Sequence, residues 1–152
     1  MRFTTLLLLS CALLAGACHK ELSPEEQLEA DKQAIRDYLS AHSIQADSTA
    51  SGMYYLITQP GSGGHPSLSA EVEVRYTGFL LDGYIFDQTP GSTTRTFPLG
   101  QLITGWQEGI PLLQRGGKGT FFLPSALGYG SSAVGDIPAN SVLIFEIELV
   151  DF

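Results

Sequence analysis

Apolar and polar side chains alternate with a period of two through much of the last two-thirds of the chain. In residues 71–76 the apolar side chains of Val72, Val74 and Tyr76 are separated by charged ones. Residues 143–149 show a similar pattern, with glutamates between several of the apolar positions. Because successive side chains of a β-strand point to opposite faces of a sheet, both segments predict strands with one buried and one solvated face.

Three further apolar runs and several turn signals accompany these two segments. Residues 53–58, 84–87 and 117–123 each have the length and composition of a short strand. Asp82 followed by glycine is typical of a tight hairpin turn, and the glycine-rich stretch 60–64 is typical of a loop. The pattern therefore predicts five antiparallel strands joined by turns and loops.

Only one segment between the predicted strands has helical spacing. It covers residues 105–113, is interrupted by Gly109 and Pro111, and carries Trp106 and Ile110 on roughly one side. A short apolar helix laid on one face of an antiparallel sheet defines an α+β fold. We predict a twisted antiparallel β-sheet wrapped around one short helix, leaving an apolar wedge that is half open.

A second helix is predicted before the sheet, at about residues 23–42. Ser23, Pro24 and Glu26 supply an N-cap, a proline in the first turn and the glutamate of a capping box. The apolar positions inside this helix form a thin stripe, which either packs lightly on the following domain or pairs with a second copy of the chain to form a dimer. Residues 44–52 have the composition of a linker, so we predict an independent domain at residues 51–152.

The amino terminus has the features of a signal peptide. Arg2 supplies the positive charge, Leu6–Leu14 form an apolar run too short to span a bilayer, and small residues precede Cys18. This arrangement resembles the lipobox of bacterial lipoproteins, in which the cysteine is lipidated. We predict a lipoprotein signal peptide at residues 1–17 and a lipid-anchored tether at 18–50. The alternative is an ordinary secretory signal beside an incidental cysteine.

Composition and charge narrow the class of function. The chain has 152 residues, 43% of them hydrophobic, and a formal net charge of −8, which argues against nucleic acid as a partner. Removal of residues 1–17 takes away Arg2 and no acidic residue, which leaves 7 basic and 16 acidic side chains and a formal charge of −9. The three histidines lie far apart, so no metal site, cofactor or nucleophilic catalytic unit is indicated.

Short motifs of aromatic, glycine and acidic residues follow one another through residues 74–145. They are Val74-x-Tyr76-Thr77-Gly78, Asp82-Gly83-x-x-Phe86-Asp87, Phe97-x-Leu99-Gly100, Ile103-x-Gly105-Trp106-x-x-Gly109, Gly128-Tyr129-Gly130, and Ile137-Pro138 leading into Leu143-x-Phe145. In this order and at this spacing, the last two-thirds of the chain resembles the FKBP-type peptidyl-prolyl cis-trans isomerases.

The resemblance implies an aromatic pocket in which an Xaa-Pro peptide bond is twisted without a covalent step. By position in the motifs, the catalytic residues are Asp87, Tyr129, Phe86 and Trp106, and the substrate-binding residues are Tyr76, Phe97, Leu102, Ile103, Ile137 and Phe145. The resemblance places Trp106 at the floor and Asp87 beside the amide. It also implies that the Tyr129 hydroxyl and the Ile103 backbone N–H donate hydrogen bonds to bound carbonyl groups.

The implied activity is isomerisation of proline-containing segments of exported proteins at the cell envelope. The protein would be anchored to a membrane by its lipid and would face the periplasm or the cell exterior. Macrolide inhibitors are a second class of ligand that the resemblance implies. The alternative function is a peptide-binding or holdase-type chaperone module that uses the same groove without turnover.

Two positions depart from the pattern of the family. Seven residues separate Asp87 from Arg95, so the sequence leaves open whether this arginine reaches the carboxylate. Arg95 also stands where some family members have an aromatic wall residue, which would weaken macrolide binding. Asp136 stands where an apolar residue is common, so we expect an acidic pocket entrance.

Lipidation of Cys18 is the first testable prediction. Metabolic labelling with a fatty acid should label the wild-type protein, because small residues before Cys18 create the cleavage and modification site. The Cys18→Ser variant should lose the label, whereas Cys11→Ser should keep it. Label that persists after Cys18→Ser would rule out this assignment.

Overall fold

The computed structural model describes residues 22–152. The predicted signal peptide and Cys18 lie outside the described residues. Within the described part of the chain, no helix is both long enough and apolar enough to cross a membrane.

Seven strands form a single antiparallel sheet, and two α-helices accompany it. The strands are β1 (Asp47–Ser48), β2 (Tyr54–Gln59), β3 (Glu71–Leu80), β4 (Ile85–Gln88), β5 (Arg95–Pro98), β6 (Gly117–Leu123) and β7 (Leu143–Asp151), and the helices are α1 (Pro24–Ala41) and α2 (Thr104–Gly109). Short 3-10 turns occupy Leu99–Gln101, Ile110–Leu112 and Ser125–Leu127. The strand order is β1-β2-β6-β7-β3-β4, and β5 pairs with the other half of β3.

The predicted fold class is confirmed, with differences in three elements. The strand β5 was not predicted, because it is only four residues long and pairs only with β3. Residues 44–52, interpreted as a linker, contain β1, which extends the sheet beside β2. The predicted helix 105–113 is α2 followed by a separate 3-10 turn that contains Pro111, since proline has no N–H for the helical hydrogen bond.

Helix α2 lies directly on the inner face of the sheet. A Cβ atom at Gly105 would stand 2.4 Å from Leu123 Cδ1 in β6, so only glycine permits this approach. The helix and the sheet enclose the main core, which includes Ile110, Phe121 and Leu149, all at most 1% exposed. The close approach brings Trp106, on the next position of α2, onto the aromatic side chains of the sheet.

Helix α1 covers part of the opposite face of the sheet. Its capping box is formed as predicted, with Ser23 Oγ accepting from the Glu26 N–H and the Glu26 carboxylate accepting from the Ser23 N–H. Ile35 and Leu39 are buried against Phe122 and Ile144. Ile144 in β7 is therefore buried on the face that the alternating pattern alone predicted to contact solvent. The prediction that residues 51–152 are an independent domain stays a prediction.

The packing of α1 makes Ile35 a stability determinant. Ile35 is fully buried, so Ile35→Ala should lower the free energy of unfolding by about 2 to 4 kcal/mol through lost apolar contacts and a cavity. Urea unfolding monitored by circular dichroism measures the change. Leu68→Ala is the matched control, because it removes a similar side chain that is 53% exposed. Equal unfolding midpoints for the two variants would contradict the packing of α1.

Candidate active site

A cleft of about 450 Å³ opens between the inner face of the sheet and α2. All ten residues that the resemblance named for the pocket line it, together with four others. The lining residues are Tyr76, Phe86, Asp87, Arg95, Phe97, Leu102, Ile103, Trp106, Tyr129, Val134, Gly135, Asp136, Ile137 and Phe145. Six sequence segments therefore converge on one site.

Strand register positions the aromatic walls of this cleft. Gly78 in β3 is paired with Asp87 on one side and with Phe145 on the other. A Cβ atom at Gly78 would stand 2.7 Å from the rings of both Phe86 and Phe145, so the missing side chain leaves room for them. The two rings meet edge to face, with centroids 5.5 Å apart and an interplanar angle of 85°.

Trp106 forms the floor of the cleft. Its indole packs edge to face with Tyr76, Phe97 and Phe145, at centroid distances of 5.0, 6.1 and 5.3 Å. The residue is 5% exposed, and its Nε1–H has no hydrogen-bond partner within residues 22–152. The floor is thus held by ring packing, and a ligand in the cleft would lie against an apolar surface.

The Asp87 carboxylate is held at the edge of the cleft by two side chains and by the Gln88 N–H, which donates to Asp87 Oδ1 at 2.8 Å. The Tyr76 hydroxyl donates to Asp87 Oδ2 at 2.5 Å and accepts from Arg95 Nη1 at 2.8 Å. Arg95 Nη1 also lies 3.4 Å from Asp87 Oδ2, which answers the question that the sequence left open. Both charged side chains are close to half exposed, so their direct attraction contributes little to stability. What these contacts provide is a fixed orientation of the Asp87 carboxylate.

The environment of Tyr76 keeps this hydroxyl in its donor form. Burial of the ring, followed by the hydrogen bond to Asp87 and the negative charge of that carboxylate, raises the pKa of Tyr76 to about 12. The neighbouring Arg95 opposes the shift without cancelling it. At neutral pH Tyr76 is therefore protonated and donates to Asp87.

Besides the buried Trp106 Nε1–H, two hydrogen-bond donors of residues that line the cleft have no partner among the described residues. The Tyr129 hydroxyl belongs to a side chain that is 37% exposed, and its pKa is raised by burial and by the nearby Asp87, so it is protonated at neutral pH. The backbone N–H of Ile103 lies just before α2, whose first turn is bonded to the Ile103 carbonyl. Both groups can donate to a carbonyl group of a ligand.

Apolar and acidic side chains form the rim of the cleft. The Tyr84 hydroxyl donates to Asp136 Oδ2 at 2.9 Å and links the β3–β4 hairpin to the loop before Ile137. Tyr84 and Val134 are each more than 40% exposed. Asp136 lines the cleft, in agreement with the acidic entrance expected from the sequence.

Val134 and Gly135 were not predicted as pocket residues, whereas Arg95 was noted only as standing at a wall position of the family. Its place in the cleft agrees with the strand, since residues two apart in a strand share a face and Phe97 had been assigned to the pocket. Val134 and Gly135 lie in an irregular loop, where side-chain direction does not follow a period. No group of three or more His, Cys, Asp or Glu side chains suited to a metal ion occurs among residues 22–152.

Comparisons with known proteins place this fold and site in one class. The FKBP-type peptidyl-prolyl cis-trans isomerase family matches residues 63–150. The chain belongs to this family, and the predicted membership is confirmed.

Individual relatives agree with this assignment. The FKBP-type peptidyl-prolyl cis-trans isomerase FkpA of Aeromonas hydrophila is 43% identical over 131 residues, which cover 80% of this chain and 49% of the relative. The outer membrane protein MIP of Legionella longbeachae is 36% identical over 141 residues, which cover 86% of this chain and 60% of the relative. The chain thus spans less than two thirds of the length of each of these two relatives.

A solved structure matches over nearly its whole length. The crystal structure of a peptidyl-prolyl cis-trans isomerase from Pseudomonas syringae pv. tomato has a TM-score of 0.69 and is 32% identical in sequence. The match covers 87% of this chain and 97% of that chain.

Trp106 offers a direct measurement of ligand entry, because it is the only tryptophan in the chain. Binding of an Xaa-Pro peptide against the indole should change the intrinsic fluorescence in a saturable way. Tyr129→Phe should weaken the apparent affinity roughly two- to tenfold, as expected for one hydrogen bond of about 0.5 to 1.5 kcal/mol. Unchanged emission at peptide concentrations that saturate catalysis would contradict a floor formed by Trp106.

Proposed function

We propose that this chain catalyses cis-trans isomerisation of Xaa-Pro peptide bonds. The single observation that carries the proposal is a cleft with an aromatic floor and walls, a fixed carboxylate at its edge and two unpartnered donors. Rotation about a peptide bond breaks no covalent bond, so it needs no nucleophile. The catalytic requirement is a site that favours the twisted amide over the planar one.

The physical chemistry of the amide explains how such a cleft accelerates rotation. Resonance creates a barrier of about 18 to 20 kcal/mol in water and makes the planar amide strongly polar. Twisting removes the resonance and with it much of the negative charge on the carbonyl oxygen. Water therefore stabilises the planar form more than the twisted form, and transfer into an apolar cleft lowers the barrier.

The reduction of the rotational barrier that this mechanism has to supply is moderate. Spontaneous exchange at proline takes tens of seconds, and turnover in milliseconds needs an acceleration of roughly four powers of ten, or about 5 to 6 kcal/mol. Burial of the proline ring on Trp106, between the walls formed by Phe86, Phe97 and Phe145, supplies the desolvation. The Tyr129 hydroxyl and the Ile103 N–H hold carbonyl groups of the bound segment in a suitable orientation.

The proposed role of Asp87 is to favour the twisted form of the bound amide over the planar form. Its carboxylate, oriented by Tyr76 and Arg95, stands at the edge of the apolar cleft, next to the place of the bound amide. A carboxylate beside the amide repels the negative carbonyl oxygen of the planar form more than the less polar twisted form. Leu102 and Ile137 complete the apolar walls and contact the substrate without taking part in this electrostatic effect.

The proposed setting is the cell envelope. The signal peptide with Cys18 at its end supports export and lipid anchoring, with the domain facing the periplasm or the cell exterior. The name of the Legionella longbeachae relative, outer membrane protein MIP, agrees with such a location. The proposed substrates are then proline-containing segments of exported proteins, and the same cleft would accept macrolides, with Arg95 in the wall reducing their affinity.

A holdase-type chaperone is the second candidate. The exposed side chains of Val134, which lines the cleft, and of Tyr84, which is bonded to Asp136 at its entrance, support binding of unfolded segments. Dimerisation through α1 has less support, because Ile35 and Leu39 of that helix are buried against the sheet of the same chain.

A protease-coupled assay on Xaa-Pro peptides tests the proposed activity. Wild-type protein should accelerate cis-trans exchange, and Asp87→Asn should lower kcat roughly tenfold, which corresponds to loss of about 1.4 kcal/mol in the transition state. KM should change less, because the carboxylate acts mainly on the twisted amide. Asp47→Asn is the matched control, since it makes the same change at an exposed carboxylate in β1.

The outcomes separate the two candidate functions. The isomerase function would be refuted if folded wild-type protein left the rate of cis-trans exchange at its spontaneous value. If the same protein bound peptide and suppressed aggregation of an unfolded client, the holdase function would be supported instead. Equal kcat for wild type and Asp87→Asn would remove Asp87 from the mechanism.

A further inference from the structure

A buried carboxylate links α1 to the loop that carries Tyr129. Asp31 lies in the middle of α1 and is 3% exposed. Its Oδ2 accepts from the Ser125 backbone N–H at 2.7 Å and from the Ser125 hydroxyl at 2.6 Å, and its Oδ1 accepts from Gln27 Nε2 at 2.7 Å. No cationic side chain in residues 22–152 forms an ion pair with it. Both carboxylate oxygens accept hydrogen bonds, which offset part of the cost of burying this polar group.

Ser125 in turn holds both neighbours of Tyr129. Its backbone carbonyl accepts from the Gly128 N–H at 2.9 Å and from the Gly130 N–H at 2.8 Å. The Gly130 carbonyl accepts from the Asn140 N–H at 2.8 Å, which ties the same loop to the segment before β7. Ser125 is 2% exposed, and its hydroxyl, N–H and carbonyl are all engaged in these bonds.

We propose that Asp31 is a positioning residue for Tyr129. Asp31 fixes Ser125 through two hydrogen bonds, Ser125 fixes the backbone on either side of Tyr129, and the phenol is thereby aimed into the cleft. Helix α1 is then part of the unit that performs catalysis, contrary to the prediction of an independent domain at residues 51–152, although none of its side chains lines the cleft. The expected effect on turnover rests on the proposed isomerase function. The expected effect on the geometry of the Tyr129 loop rests on the hydrogen bonds alone.

Docking of α1 does not by itself account for Asp31. The apolar contacts of Ile35 and Leu39 with Phe122 and Ile144 already attach the helix to the sheet. An apolar side chain at position 31 would add to this attachment without the desolvation of a charge. What a carboxylate adds is two directed bonds to one serine, and these determine the geometry of the turn rather than the strength of the packing.

Three variants separate positioning from packing. Asp31→Ala removes the acceptor for Ser125. Asp31→Asn can keep its oxygen on Ser125 while Gln27 turns its amide to accept from the new NH₂ group, so it should restore most of the wild-type behaviour. Ile35→Ala is the matched control, because it weakens the same helix through apolar contact only and leaves the Ser125 bonds in place.

Two readouts are measured on the full-length protein. The first is amide hydrogen exchange at Gly128 and Gly130, expressed relative to the exchange rate of the whole domain. We expect this relative rate to be higher in Asp31→Ala and unchanged in Ile35→Ala. The second is the protease-coupled assay, in which Asp31→Ala should lower kcat/KM roughly two- to tenfold, the range of one lost hydrogen bond at the site. In a Tyr129→Phe background the same substitution should have a smaller effect.

Each result decides the proposal. Faster exchange at the two glycines with lower kcat/KM, both restored by Asp31→Asn, supports it. If Asp31→Ala behaves like Ile35→Ala in both readouts, or has its full kinetic effect without the Tyr129 hydroxyl, the positioning role is refuted. If wild type lacks turnover while exchange at the glycines still responds to Asp31, the proposed function fails and the structural link stands. Should Asp31→Ala not fold, Ser125→Ala carries the same readouts.

Discussion

Helix α2 lies so close to strand β6 that a Cβ atom at position 105 would stand 2.4 Å from the side chain of Leu123, and the rest of the site depends on this approach. The glycine lets the helix backbone rest on the sheet, so that Trp106 reaches three aromatic rings on the sheet's inner face. Because α2 has only six residues, it covers part of that face and leaves the remainder as a cleft. The same packing therefore closes the core and keeps the pocket open.

The cleft combines an apolar surface with one oriented charge. Tyr76 serves both features, since its ring packs against Trp106 while its hydroxyl donates to Asp87. Its pKa of about 12 means that this donor is retained across the physiological pH range. A carboxylate held by a neutral phenol and a half-exposed arginine keeps its orientation without being neutralised by a buried partner. This is a suitable arrangement for a reaction in which only the polarity of an amide changes.

The sheet is covered on both faces where Phe122 of β6 pairs with Ile144 of β7. Alternate residues of β6 serve the two sides, with Phe121 in the core under α2 and Phe122 in the cluster under α1. The chain leaves β6 directly into the Ser125 turn, where Leu123 lies against Gly105 of α2 and Ser125 donates to Asp31 of α1. Contacts from both helices thus meet in the few residues that lead from the sheet to the edge of the cleft.

The sequence by itself determined the fold class, the family and the membership of most of the pocket. Alternation with a period of two and the helical capping box are local patterns, and the motifs from Val74 to Phe145 identify ten pocket residues without knowledge of any contact. Strand β5 was missed because four residues at a sheet edge carry too weak a periodic signal.

Only the tertiary structure decided that Arg95 reaches Asp87 and that α1 covers part of the sheet. It also decided that Asp31 accepts a hydrogen bond from Ser125, which lies 94 residues further along the chain. These contacts depend on how whole elements cross. A local pattern shows which face of an element is apolar, but it does not show which distant polar group lies opposite a given side chain.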